Sequence, residues 1–140
     1  MKKQAVFLIV AAILVASVGW MFLGEQGEID TAQAGTPLAE VKVPTLSKTA
    51  LEGETIFNAN CAACHGKNGA GVDGAGPPLV HVIYEPNHHA DIAFYMAVKQ
   101  GVRAHHWRFG NMPPVPDVSE HDVAKIITYI RELQRANGIN

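Results

Sequence analysis

Cys61-Ala62-Ala63-Cys64-His65 decides the fold of this 140-residue sequence, because C-x-x-C-H is the pattern of c-type haem attachment. Each of the two thiols can add to a haem vinyl group, and the histidine that follows then lies beneath the iron. Neutral imidazole is a good iron ligand. The pentapeptide therefore predicts a haem held covalently through Cys61 and Cys64, with His65 as one axial ligand.

Two other interpretations of these cysteines stay open on the residues alone. A structural zinc site needs four ligands, and a second Cys or His pair at short spacing is not visible. A thioredoxin-like redox pair needs a strand-to-helix context in a parallel sheet, and no such pattern follows the motif. The haem interpretation predicts a further residue downstream that would bind the iron on its other side, and the sequence can be searched for that residue.

A candidate for that further ligand is Met112, in Gly110-Asn111-Met112-Pro113-Pro114. A thioether is a soft ligand that favours Fe(II), so it raises the reduction potential relative to a second histidine. The two prolines fix their own φ angles and stiffen the loop that presents the sulfur. Met96 is an alternative, but its position within a predicted helix beside aromatic residues is more typical of a core gap filler.

With these residues in place, the sequence resembles the class I mono-haem c-type cytochromes from about residue 47 to residue 137. The resemblance implies an all-α, cytochrome c-like helical domain around one covalently bound haem c, with His65 and Met112 as axial ligands. It also implies that the Pro77 carbonyl accepts a hydrogen bond from His65. The matching features are Gly53 and Phe57, C-A-A-C-H-G at 61–66, Gly76-Pro77-Pro78-Leu79, Met112-Pro113 and Tyr129.

Helix signals recur on both sides of the motif. A capping box of Thr49 and Glu52 predicts a first helix to about Asn60, and Asn87 and Gly101 bound a second. Ser119 begins the last, whose apolar stripe faces the core. Gly53 allows close approach of another helix, and the resemblance makes that the C-terminal helix, crossing near Tyr129. The side chains predicted to face inward are Leu51, Ile56, Phe57, Ile92, Tyr95, Met96, Val123, Ile126, Ile127, Ile130 and Leu133.

The stretch 103–109 is the least generic part of the sequence. Trp107 and Arg108 are candidates to hydrogen-bond a haem propionate. His88, His89, His105 and His106 have three interpretations: a second metal site, replacement of Met112 as the axial ligand, or surface histidines at a docking face. The last is favoured because it requires no additional chemistry.

Residues 1–24 are predicted to be an N-terminal transmembrane anchor. The uncharged apolar run 5–23 would extend roughly 28 Å as a helix, close to the thickness of a bilayer. A cleaved signal peptide ending at Ala32-Gln33-Ala34 is the alternative, but the run is longer than a usual signal core. Lys2 and Lys3 precede the run, so the rest of the chain is expected on the periplasmic or other extracytoplasmic side of a bacterial inner membrane.

The remaining organisation is a flexible linker over 25–46, rich in Gly, Thr, Ala and Pro, followed by a cytochrome c domain over 47–140. An ordered segment at 41–43 is the alternative for part of the linker. The net charge is −2, from 11 basic and 13 acidic residues, and Lys2 and Lys3 account for two of the basic ones. That balance argues against nucleic acid as a partner.

The resemblance implies a one-electron carrier between membrane or periplasmic redox complexes, with no enzymatic reaction of its own. Its partners would be an electron donor and an electron acceptor. A second hypothesis is a fixed cytochrome subunit of a membrane oxidoreductase or terminal oxidase complex. A third is a haem peroxidase, which needs an open or displaceable sixth position at the iron.

Overall fold

Helices dominate the part of the chain described by the computed structural model, residues 35–140. Within this range no strand forms, which confirms the all-α prediction, and the only pairing of extended backbone is in two isolated bridges, Val72 with Gly76 and Val102 with Met112. No helix here is both long and apolar enough to cross a bilayer. The predicted span 5–23 lies outside the described residues. The helices are α1 (Lys48–Asn60), α2 (Ala62–His65), α3 (Asp91–Gln100) and α4 (Glu120–Ala136), with 3-10 turns at Lys67–Gly69 and Val82–Tyr84.

The core forms where α1 crosses α4. The predicted apolar stripe of α4 is confirmed, since all five of its members are buried. The crossing lies near Tyr129, as the resemblance implied, and the rings of Phe57 and Tyr129 meet there with centroids 5.6 Å apart. Ser119 begins α4 with a capping box closed by Asp122. The core therefore joins α1, which leads into the haem motif, to α4.

Gly53 is the residue that allows this crossing. A Cβ at position 53 would overlap the backbone carbonyl of Lys125 on α4. We expect Gly53→Ala to destabilise the folded protein by about 1–3 kcal/mol, because forced separation of packed helices outweighs the gain of roughly 1 kcal/mol in helix propensity. Denaturant unfolding of the haem-loaded protein measures this. Asn58→Ala, an exposed change on the same helix, is the matched control, and equal stability of the two variants would contradict the prediction.

The start of α1 differs from the prediction. The N-cap is Ser47, two residues before the predicted Thr49. Ser47 donates from both its backbone N–H and its hydroxyl to the carboxylate of Glu132 on α4, at 3.0 and 2.7 Å. Glu52 does not close a capping box but forms an ion pair with Lys125 at 2.9 Å. A partner distant in sequence therefore selects which hydroxyl caps the helix.

The second predicted helix is shorter than expected at its N-terminus. It begins at Asp91, not after Asn87, and its N-cap residue Ala90 makes no side-chain hydrogen bond. Its end at Gly101, with φ of +75°, agrees with the prediction. The segment before Asp91 turns instead, because α4 binds the backbone carbonyls of Tyr84 and His89.

Arg131 of α4 makes that engagement. Its buried guanidinium donates to the backbone carbonyls of Tyr84 and His89, at 2.7 and 2.5 Å, and to the Asp91 carboxylate at 2.9 Å. A further bond runs to the Gln134 side chain at 2.6 Å. Hydrogen bonds to a charged group are among the stronger ones in proteins. His88 and His89 lie in a turn, and this arginine therefore attaches that turn to α4.

Three side chains predicted to face the core are exposed. Leu51, Ile92 and Met96 are 51 %, 65 % and 45 % exposed. Tyr95, predicted with them, does pack against the core, and Phe94 joins it there. In a ten-residue helix such as α3, more than one choice of inward face fits the pattern of apolar residues, so the inward face was assigned wrongly for Ile92.

The prediction of a flexible linker over 25–46 is wrong for its second half. The backbone N–H of Leu38 donates to the carbonyl of Ala70 at 3.1 Å. The Asn137 side chain pairs with both backbone groups of Lys42, at 2.9 and 2.8 Å. The ordered-segment alternative describes this stretch, because extended backbone finds partners on the domain without forming a helix or strand.

Candidate haem site

The junction of α1 and α2 presents the C-x-x-C-H motif. Cys61 ends α1, with its N–H bonded to Phe57 O at 2.8 Å, and its own carbonyl accepts from His65 N at 2.9 Å. Both cysteines are free thiols, Cys61 half-buried and Cys64 exposed. Burial and the neighbouring Cys64 raise the pKa of Cys61 to about 11, so this thiol is protonated at neutral pH. Neither sulfur is used in a disulfide, so both are available for thioether bonds.

A cavity of about 550 Å³ opens beside the motif. Its wall is mostly apolar and comes from the end of α1, the inner sides of α3 and α4, and the loop between α3 and α4. Cys61, His65, Pro77 and Met112 all contribute to this wall, whereas Cys64 does not. A volume in this range suits a cofactor-sized ligand. The fold thus brings the predicted ligands together although they lie far apart in sequence.

His65 is oriented by a backbone carbonyl. Its Nδ1 donates to Pro77 O at 2.9 Å, which is the hydrogen bond that the resemblance implied. Burial lowers the pKa of His65, and the bond to Pro77 opposes this in part. The neutral imidazole is therefore favoured, with its proton held on Nδ1 and the Nε2 lone pair free. This is the form in which imidazole binds a metal.

Met112 is fixed by its backbone on the cavity wall. Its N–H and C=O exchange hydrogen bonds with Val102, both at 3.0 Å. Gly101, just after α3, lies so close that a Cβ there would overlap the Met112 carbonyl. These contacts hold Met112 against the residues that follow α3. In the chain, Met112 is followed directly by Pro113 and Pro114. Sequence reasoning found Met112 but missed the bridge, since no pattern around Val102 signals it.

Met96 also lines the cavity. It stands on α3 and its side chain is 45 % exposed, so it faces the cavity and is not enclosed by other core side chains. Its sulfur lies 3.9 Å from the Gln100 side-chain amide, within reach of a weak hydrogen bond. The described part of the cavity wall therefore contains two methionines, Met96 from α3 and Met112 from the loop that follows it.

A family model described as Cytochrome c matches residues 50–134. The chain belongs to the cytochrome c family. Such proteins carry covalently bound haem c, and in this chain the pair Cys61 and Cys64 stands at the attachment motif. The matched range begins in α1 and ends in α4, so it includes every helix of the domain.

Among curated proteins, this cytochrome c domain is similar to "Cytochrome c oxidase subunit 2" of Alkalihalophilus pseudofirmus. The two are 33 % identical over 119 residues. The alignment covers 79 % of this chain but 32 % of the relative, so the chain spans about a third of the relative's length. The similarity thus concerns only a part of that protein.

The side chains around the cavity fit a haem with acidic substituents. Within residues 35–140, the buried indole Nε1 of Trp107 has no hydrogen-bond partner, and an unpaired buried donor costs about 1–3 kcal/mol. A propionate carboxylate would accept from it, as predicted from the sequence. Arg108, the other predicted propionate partner, is exposed and outside the cavity wall. Arg103 lines the cavity instead, and its spacing from the motif gave no signal of this.

The four histidines of the sequence prediction lie together beside the cavity. His105 and His106 have ring centroids 4.3 Å apart, and His88 lies 5.1 Å from His106. Partial burial, together with His105, His89 and His88, lowers the pKa of His106. The neutral form of His106 is therefore favoured where these rings meet. Sequence reasoning identified the residues, but not that two separate segments meet in space.

Proposed function

We propose that this cytochrome c is a one-electron carrier whose haem is ligated by His65 and Met112. The observation that carries the proposal is that both residues stand in the wall of one cavity, and both are held by hydrogen bonds that do not involve the ligating atoms. Preorganised ligands lose little freedom on binding iron. They also change little between the two oxidation states, which suits rapid electron exchange.

The haem supplies the one-electron chemistry when it is bound. The protein would supply the rest: His65 and Met112 would both bind the iron, so O2 and peroxide would have no free position there. The apolar wall excludes water and favours the ferrous state, which carries less charge. This argues for a carrier and against a peroxidase.

Carbon monoxide tests the closed site. We expect the reduced wild-type protein to show no change in its haem spectrum under carbon monoxide, because the sixth position is filled by a sulfur on a stiff loop. The Met112→Ala variant is the internal comparison, and it should bind the gas. Saturable binding by the wild type would support the peroxidase alternative.

We further propose that the domain is anchored to the bacterial inner membrane through residues 1–24 and faces the extracytoplasmic side. The support is the apolar run 5–23, preceded by Lys2 and Lys3. Because residues 36–46 are docked on the domain, at most about 12 residues remain to tether it. Twelve residues span at most about 43 Å even when fully extended, so an anchor at residues 1–24 would keep the haem domain near the membrane.

The anchor is tested by cell fractionation. Full-length protein should sediment with membranes and retain Lys2 at its N-terminus, while a chain that begins at Gly35 should be soluble with an unchanged haem spectrum. Gly35 is the appropriate start because Thr36 O accepts a hydrogen bond from Asp73 N. A mature protein that begins near Gly35 in mass spectrometry would favour a cleaved signal peptide.

A fixed subunit of an oxidase complex is the second candidate function. The similarity to a protein named "Cytochrome c oxidase subunit 2" favours it, as does the short tether. Purification from mildly solubilised membranes separates the candidates. A carrier should elute alone, whereas a subunit should elute with haem or copper proteins in fixed proportion.

A further inference from the structure

Four histidines from two segments gather at the edge of the haem cavity. His88 and His89 follow the turn that Arg131 holds, and His105 and His106 lie in the loop between Val102 and Met112. The Nε2 atoms of His88 and His106 are 3.2 Å apart. One ligating nitrogen from each of His88, His89 and His106 lies within 4.8 Å of the others. The cluster is not needed for the proposed axial ligation.

These separations suit a tetrahedral metal ion. Imidazole nitrogens bind Zn²⁺ at about 2.0–2.1 Å, so three of them stand roughly 3.3 Å apart around it. The separation of the His88 and His106 Nε2 atoms, 3.2 Å, already meets this value. The other separations are within 4.8 Å, a difference that side-chain rotation can close. His88 and His106 are exposed and His89 is half-buried, so an ion has access from solvent.

Backbone carbonyls select the ligating nitrogens. His89 Nδ1 donates to Ile83 O at 2.7 Å, and His105 Nδ1 donates to Arg103 O at 2.8 Å. The proton of each ring is then on Nδ1, and the lone pair on Nε2 is free. Metal-binding histidines are characteristically oriented by such bonds through the nitrogen that does not ligate. In His88 and His106 the Nε2 atoms face each other, as they would around a shared ion.

We propose that His88, His89 and His106 bind a divalent transition-metal ion, Zn²⁺ or Cu²⁺, with His105 or water as the fourth ligand. An all-imidazole donor set suits these ions and not Mg²⁺ or Ca²⁺, which prefer oxygen. His89 and His106 also line the haem cavity, so the ion would place positive charge near the haem. Positive charge there favours the ferrous state, so the ion should raise the haem potential.

Zinc titration of the full-length, haem-loaded protein in mild detergent tests the site. After treatment with a chelator, the oxidised protein should bind one Zn²⁺ ion per chain by calorimetry. His88→Ala and His106→Ala should each weaken binding by about tenfold or more, since loss of an outer-sphere partner alone costs that much. His121→Ala, an exposed histidine at the start of α4, is the matched control and should bind zinc as the wild type does.

Zinc-edge X-ray absorption then counts the ligands without interference from iron. Three or four imidazole nitrogens at about 2.0–2.1 Å are expected. Equal zinc affinity in all variants, or none in the wild type, would overturn the proposal. If the wild type binds no zinc and His106→Ala shifts the haem potential, the histidines serve a haem propionate instead. The result does not depend on the electron-carrier proposal, because zinc binding is measured without redox partners.

Discussion

Replacing Met112 with alanine is expected to lower the reduction potential of the haem and to open its sixth position. The bridge to Val102 and the following prolines hold the backbone of Met112 in place, and an alanine at this position has no atom that can bind iron. Axial-ligand identity spans about 0.8 V across haem proteins, so we expect a decrease on the order of a few tenths of a volt. Potentiometric titration measures the decrease, and carbon monoxide binding to the reduced variant shows the open site.

Two variants make this result specific. Met112→His should also lower the potential but keep the site closed to carbon monoxide, because imidazole replaces the sulfur. Met96→Ala is the matched control, since it removes the other methionine of the cavity wall and should leave the potential nearly unchanged. The weak far-red band of Met-ligated ferric haem should vanish only in the Met112 variants. If it vanishes with Met96→Ala instead, the axial sulfur belongs to α3.

The second large effect concerns attachment of the haem. Cys61→Ala combined with Cys64→Ala should leave the haem extractable by acidified organic solvent. The double variant has no thioether to the haem, and acid protonates His65 so that it no longer binds the iron. Wild-type protein should retain essentially all of its haem under the same treatment. Absorbance of the extracted and protein fractions measures the distribution.

The single variants extend this test. Each should keep the haem through one thioether, so it stays with the protein in acid solvent while its absorption bands shift. Cys64 is exposed and Cys61 half-buried in the wall of the cavity, so we expect Cys61→Ala to disturb haem seating more. Haem lost from the wild type would contradict covalent attachment and with it the basis of the proposed function.

Local patterns anticipated much of the site. The spacing of Cys61, Cys64 and His65 is a property of five consecutive residues, and Met112 is recognisable by the prolines after it. The resemblance supplied Pro77, and the bond from His65 is present. The stripe of α4 was readable because a 17-residue helix repeats its inward positions often enough to define one face.

Three of the incorrect predictions share a physical cause, which is competition from partners distant in sequence. Thr49 and Glu52 satisfy the local rule for a helix start, but Glu132 stabilises the start at Ser47. The carbonyls before α3 are engaged by Arg131, so that helix begins later than its N-cap signal indicates. The linker composition excludes a helix or strand, yet Asn137 orders part of it.

The sequence by itself determined the cofactor class, the attachment residues and the helical fold, because each depends on short-range spacing that the chain carries in any conformation. Only the tertiary structure decided which side chains share the cavity: Arg103 and not Arg108, and Met96 as well as Met112. It also decided that His88 and His106 meet. These juxtapositions arise from the packing of α3 and its flanking loops on α4, where Arg131 and the Val102 bridge set distances that no local pattern encodes.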